Sequence, residues 1–192
     1  MLAVTDWPVA LSGVTETVVT TLGPNDRWNV AALGVHRPAD EETAPTARTW
    51  GRTRTWRNFR EREVGYVQFA RDPLLFVEAA LGVREVDDPV LDAAHAWVEV
   101  TPERLDSGSE GDTQWVDWRL VAEESAVESR VVPTYSRAYG AIVEATVAAS
   151  RLDVEGYDSE TLHQRIDYFE DVTERCGGPR EREAFERLRE LL

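Results

Sequence analysis

The sequence is most informative at residues 14–35, which read VTETVVTTLGPNDRWNVAALGV. Val14 to Leu22 is rich in β-branched residues that partly alternate, a pattern typical of a strand. Gly23 to Asp26 is a cluster of turn residues, and Trp28 to Val35 follows as a second strand. We therefore predict a β-hairpin with a longer loop.

The second strand of this hairpin carries unusually small side chains at Ala31, Ala32 and Gly34. Small residues in a strand indicate that another group packs closely against the backbone.

The chain up to about residue 132 continues in the same strand-rich manner. A charged loop, Arg37 to Pro45, follows the hairpin, and Asp106 to Asp112 is predicted to be a polar, exposed turn. Two helices are predicted, from Thr55 to Glu61 with Thr53 or Thr55 near the N-cap, and from Pro73 to Ala80 after the cap Asp72. The remaining strands are predicted at Thr46–Thr53, Val64–Ala70, Ala94–Thr101 and Trp115–Ala122.

From Pro133 onward the pattern is helical. Three helices are predicted, opening at Ser136, at Asp158 and at Pro179. About six strands followed by three helices indicate an α+β fold, a small β-barrel in residues 1–132 with a helical lobe in residues 133–192.

The charge balance is lopsided. The 192 residues include 36 Asp and Glu against 21 basic residues, all of them Arg, for a net charge of −15. An acidic surface without Lys is typical of a haloarchaeal protein adapted to molar salt, where charge repulsion is screened. An ordinary acidic protein from a GC-rich genome is the alternative.

Several functional classes are excluded by the sequence. No stretch of 18 apolar residues could span a membrane, and Met1 to Asp6 lacks the features of a signal peptide, so we expect a cytoplasmic protein. A single cysteine, Cys176, excludes an internal disulfide and a cysteine-ligated metal; we expect it to be a packing residue. The negative charge argues against nucleic acid as a partner.

Motifs for common chemistry are missing as well. A Walker loop needs Lys, and GxGxxG, HExxH and GxSxG do not occur. His163 and Asp167 are spaced to share a metal ion on one helix face, but a solvated face is favoured, and we predict no metal. We identify no convincing catalytic acid or base.

The segment Thr49 to Phe59, TWGRTRTWRNF, is the best candidate for ligand binding. It places three arginines around a helix start together with Thr53, Thr55 and Asn58. Free N–H groups, hydroxyls and forked guanidinium donors suit a phosphate. The alternative is a basic surface loop that offsets local acidity. Arg137, spaced by seven from Glu144, either belongs to an exposed charged stripe or reaches an anion.

Five stretches in order resemble one family. They are ETVVTT with WNVAALGV, TRTWRNF, RDPLLFVEAAL, YSRAYGAIVEATVAASRL and RIDYFEDVTERCGGPRE. Together they resemble the archaeal domain of unknown function 447 (DUF447), although Leu33, Trp56 and Ser136 depart from the family pattern. The resemblance implies an FMN-binding split β-barrel of the flavin-reductase type with a C-terminal helical extension, and a homodimer.

The resemblance also implies site residues and a function. Phosphate and ribityl contacts fall to Arg52, Thr53, Thr55 and Asn58, with Arg137 as a weaker candidate. The isoalloxazine would lie along Asn29, Ala31, Ala32, Gly34 and Val35. With such a site the first candidate function is an FMN-dependent oxidoreductase acting on a small heterocycle, with the loops Arg37–Pro45 and Asp106–Asp112 lining the donor pocket. A non-catalytic FMN-binding or storage protein, or a barrel that holds a deazaflavin, are the alternatives.

Overall fold

The structure is a computed structural model that describes residues 7–38, 43–152 and 154–192. Within this part of the chain it contains seven strands and five helices. The strands are β1 (Val14–Leu22), β2 (Trp28–His36), β3 (Thr46–Trp50), β4 (Gly65–Ala70), β5 (Arg84–Val86), β6 (Ala94–Glu110) and β7 (Thr113–Val127). The helices are α1 (Arg54–Arg62), α2 (Pro73–Leu81), α3 (Arg137–Ala149), α4 (Ser159–Cys176) and α5 (Pro179–Glu190).

Six of the strands close into an antiparallel barrel. Their order is β1-β4-β6-β7-β3-β2, and β2 returns to β1 along its whole length. The predicted hairpin is the β1–β2 pair, with Thr21 opposite Asn29 and Glu16 opposite Gly34. The α+β split-barrel fold with three helices after the barrel is therefore confirmed.

The barrel encloses a core of fully buried side chains. Val19, Val35, Val67 and Val98 point inward from four strands, and Phe59 of α1 enters from outside the sheet; each is 0% exposed. Because burial of large apolar side chains is the main favourable term in folding, Phe59 is the residue that holds α1 against the barrel.

The chain divides into two compact units. One comprises the chain up to Arg71 together with Arg84–Val131, and the other comprises Asp72–Val83 and Val132–Leu192. In the second unit Ile142, Ile166 and Leu188 are fully buried among the helices, and Val77 of α2 belongs to the same core. The boundary predicted near residue 132 stays a prediction.

The β6–β7 hairpin is longer than the sequence predicted. The expected turn at Asp106–Asp112 is wrong, because strand pairing continues to Glu110 and only Gly111 and Asp112 turn. Gly111 has φ 55°, a backbone conformation that favours glycine. Serines and acidic residues resembled loop composition here, but the ladder to β7 pairs their backbone.

Two further expectations about single residues are corrected. From the sequence we expect a small barrel to leave Trp118 exposed on a single chain, but Trp118 is 3% exposed in the barrel core. Cys176, expected to pack, is exposed at the last turn of α4.

Candidate functional site

Helix α1 begins at Thr53, as the sequence predicted. Thr53 has extended backbone angles, and its Oγ1 accepts a hydrogen bond from the Trp56 N–H at 3.2 Å. This cap uses one of the free N–H groups of the first turn and leaves others open.

Two side chains of α1 anchor its start beside Asn29. The Asn58 amide, 3% exposed, donates to the Thr21 hydroxyl at 2.9 Å and to the Thr21 carbonyl at 3.3 Å. An Arg54 guanidinium nitrogen lies 2.8 Å from a Glu85 carboxylate oxygen. Thr21 on β1 and Glu85 on β5 are the strand partners of Asn29 on its two sides. Contacts from α1 therefore flank Asn29 on both sides.

Asn29 and Thr55 are nearly buried but lack hydrogen bonds. Each residue is 5% exposed, and neither side chain has a hydrogen-bond partner among the residues that the structure describes. In this part of the chain no fully buried side-chain polar atom lacks a partner, so the Asn29 amide and the Thr55 hydroxyl must reach solvent. Polar groups this buried are normally paired within the protein. Because the Asn29 amide and the Thr55 hydroxyl have no such partner, they are free to bind a polar ligand.

The barrel is opened along β2 next to these groups. On the edge of β2 away from β1, β5 pairs with Trp28–Val30 and β3 pairs only with Val35 and His36. Within the described residues, no strand pairs with Ala31–Gly34 on that edge. We call this gap the seam. Its backbone edge is available to a ligand. Three of its four residues are the small ones that the sequence singled out, and the fourth, Leu33, is buried in the barrel core.

Strand β3 pairs with only two residues of β2, because all five of its residues pair with β7. Arg48 makes a forked contact with Asp117, with nitrogen–oxygen distances of 2.7 and 2.8 Å, and its guanidinium lies 4.0 Å from the Trp115 ring centroid. The hydrogen bond from Arg48 holds the pKa of Asp117 below its ordinary value. This contact fixes the far side of the seam.

Three other predicted site residues are not part of the seam. Arg52 is exposed, and its Nε donates to the Gln114 side-chain amide oxygen Oε1 on β7 at 3.4 Å. Val35 is fully buried in the barrel core, and Arg137 is exposed at the first turn of α3, in the second unit. No local pattern distinguishes Arg54 from Arg52 and Arg57, yet Arg54 is the one of these three with an ion pair to Glu85, the β5 partner of Asn29.

The described residues show neither a metal-ligand cluster nor a membrane-spanning helix. His163 and Asp167 do not form a pair: His163 contacts the Ser159 carbonyl, and Asp167 pairs with Arg189 at 2.6 Å. Among the described residues, no three acidic, His or Cys side chains converge as a ligand set. No helix in the same part of the chain is long and apolar enough to cross a membrane.

A closed six-stranded barrel with one seam and a helix at its end defines the split β-barrel class. The chain belongs to the DUF447 family, described as a protein of unknown function. The model of the family's N-terminal domain matches residues 15–129, and a second DUF447 model matches residues 136–190. The resemblance seen in the sequence is thus confirmed at the level of the family.

Two solved structures illustrate the likeness. An FMN-bound DUF447 protein from Methanosarcina mazei is 24% identical, with a TM-score of 0.82, over 95% of this chain and 97% of that chain. The styrene monooxygenase flavin reductase from Pseudomonas putida S12 is 13% identical, with a TM-score of 0.43, over 65% of this chain and 95% of that chain. A search of curated proteins finds no match.

Proposed function

We propose that this chain binds FMN at the seam and works as a flavoprotein. The observation that carries the proposal is the pair of nearly buried polar groups without hydrogen bonds, Asn29 and Thr55, beside the unpaired edge of β2. The Methanosarcina mazei relative is described as FMN-bound. A ligand with a flat ring, a polyol chain and a phosphate matches an open strand edge next to a helix start.

The start of α1 is the proposed phosphate and ribityl site. The Thr53 oxygen accepts from Trp56, and its hydroxyl proton can still be donated to a phosphate oxygen. Thr55 and the open N–H groups of the first turn add donors, and Arg52 adds charge. Asn58 contributes by holding α1 in place, since its amide is committed to Thr21.

Two further arginines are candidates for the proposed phosphate site. Arg54 is a further cationic candidate because its contact with Glu85 places it beside Asn29. Arg137 remains the weaker candidate that the resemblance implied.

The β2 edge is the proposed ring site. Asn29, Ala31, Ala32, Gly34 and Val35 would lie along the isoalloxazine. Ala31, Ala32 and Gly34 would present their backbone to it, Asn29 would contact it through the side-chain amide at one end, and Val35, whose side chain is buried and whose backbone pairs with β3, would border the other end. Bound FMN supplies hydride or electron transfer. The small residues of β2 would leave room for the ring at this edge, and their backbone N–H groups would stabilise negative charge on the ring.

For activity, we propose an oxidoreductase that acts on a small heterocyclic substrate. The residues of the proposed FMN site include no Asp, Glu, His, Cys or Lys that could act as a catalytic acid or base. Such a site suits chemistry that the cofactor performs. The same observation fits a non-catalytic FMN-binding or storage protein, or a deazaflavin carrier.

Partners and surroundings of the site complete the proposal. We propose a homodimer in the cytoplasm, with the second copy covering part of the site. Of the two loops expected to line the donor pocket, residues 39–42 of the first lie outside the described residues, and most of the second is strand.

Flavin titrations of arginine variants test the site. Arg52→Ala and Arg54→Ala should each weaken FMN binding about ten- to hundredfold, because a charge-assisted contact contributes about 1.5–3 kcal/mol. Riboflavin binding should hardly change, because riboflavin has no phosphate. Arg60→Ala, at the other end of α1, is the matched control.

Two outcomes contradict the assignment. Unchanged FMN titrations for both variants would show that the phosphate is not bound at the start of α1. Equal losses for FMN and riboflavin would show that these arginines support the fold instead.

A further inference from the structure

We infer that a second groove, on a different face of α1, binds a planar aromatic ring carrying a carboxylate. The groove has a volume of about 360 Å³ and lies between α1 and the distal part of the β6–β7 hairpin. Trp56 and Arg60 line it from α1 and share one face of the helix, because residues four apart do so, whereas Asn58 points to Thr21 on β1. The groove adjoins the proposed phosphate site, since Gln114 of its lining contacts Arg52. Its aromatic and cationic lining is argued from residues that the flavin proposal does not use.

The groove walls are flat and aromatic. Trp56, Trp115 and Trp118 all line it. The Trp115 ring lies directly against Gly108 on β6, since a Cβ there would be 2.6 Å from the indole Cζ2. The Trp115 indole can therefore occupy this position only because residue 108 has no side chain. Indole faces favour a planar, polarisable ring.

The charge of the groove is opposite to that of the chain. Its lining contains Arg60 and Arg104 and no Asp or Glu, although the whole protein has a net charge of −15. Arg104 donates to the Ser107 hydroxyl and has no carboxylate partner among the described residues. A guanidinium without a carboxylate beside an aromatic wall is a ready partner for a ligand anion.

Arg60 is the second cation, and it is already oriented. Its guanidinium carbon lies 4.5 Å from the Trp56 ring centroid, and a terminal nitrogen lies 2.6 Å from a Glu61 carboxylate oxygen. The stacking fixes the guanidinium at the groove, while its remaining N–H groups can donate to a ligand carboxylate. The neutral amide of Gln114 also lines the groove.

The size of the groove limits the ligand class. About 360 Å³ is near the lower end of small-molecule sites, which suits one or two fused rings and leaves no room for a dinucleotide. The two guanidinium groups in the lining suit a carboxylate, and the indole walls suit a planar ring. An aromatic monocarboxylate meets both conditions.

Calorimetric titration with naphthoate, and with the neutral analogue naphthamide, tests the inference on the whole protein. We expect saturable naphthoate binding that Arg104→Gln and Arg60→Gln each weaken by about tenfold. Naphthamide should bind more weakly and should be insensitive to both changes. Arg119→Gln is the matched control, because Arg119 is on β7 in an exposed pair with Glu103 at 3.1 Å, outside the groove.

A second variant tests the aromatic wall. Gly108→Ala should displace the Trp115 ring and weaken naphthoate and naphthamide alike, with the melting temperature showing that the hairpin remains folded. FMN titrations should be unchanged in the arginine variants. Absence of naphthoate binding to the parent protein, or an equal loss in Arg119→Gln, would overturn the inference.

Discussion

Gly34 shows how a single residue can test the seam. It pairs with Glu16, and a Cβ added to it would lie 3.1 Å from the Val14 side chain and 3.7 Å from the Glu16 carboxylate. Gly34→Val should therefore add bulk on the face of β2 opposite the barrel core, beside the seam. Val14 is 54% exposed and can move aside, and valine suits a strand, so the barrel should fold.

The expected result is loss of FMN without loss of the barrel. The ratio of flavin absorbance to protein, together with far-ultraviolet circular dichroism, measures both. Gly34→Ala, with a smaller side chain, should retain more flavin than Gly34→Val. Full FMN occupancy in Gly34→Val would show that the ring does not lie along this edge.

The residue types of the site could be predicted, but not their partners. Thr53 at the helix start followed from local capping preferences, which depend on neighbours in sequence. Asn29 and Thr55 became informative only through a missing hydrogen bond, which is a property of the folded chain. The contact between Arg54 and Glu85 joins residues 31 positions apart, and no local pattern reports such a pair.

At the scale of elements, helix α3 offers a test of local stability. Gly140 is the fourth residue of α3, it is exposed, and a Cβ there would contact nothing within 4 Å. Glycine in a helix costs about 0.5–1 kcal/mol relative to alanine. Gly140→Ala should raise the melting temperature by about 1–4 °C. A lower melting temperature would mean that a neighbour needs this space.

Elements were predictable where local pattern and tertiary structure agree. The β1–β2 hairpin and the starts of α2, α3 and α4 have strong turn or capping residues, and each was found close to its predicted position. β5 is three residues long and exists because β2 offers it an edge. The distal part of β6 is polar because it extends the hairpin, so its composition resembles a loop while its backbone pairs with β7.

For the whole molecule, charge dominates the expected behaviour. With 36 acidic residues and a net charge of −15, repulsion between surface carboxylates opposes the compact state in dilute buffer. The Debye length falls from about 10 Å at 0.1 M salt to about 3 Å at 1 M. The resolved ion pairs are mostly between exposed arginines and carboxylates, and pairs of this kind contribute little. Salt should therefore stabilise this protein.

Melting and mass measured together in a KCl series test both whole-molecule proposals. The melting temperature should rise from about 0.1 M to about 3 M KCl, and light scattering should give twice the 21.6 kDa of one chain.

The proposed dimer is argued from apolar groups on the barrel unit that one chain leaves exposed, such as Trp50 at 45% and Leu105 at 44%, since a two-fold interface buries such groups. Because acidic protomers repel each other, the dimer mass should be most stable at the high-salt end. A melting temperature independent of salt would contradict adaptation to molar salt. A monomer mass throughout the series would contradict the homodimer and require each chain to bind flavin by itself.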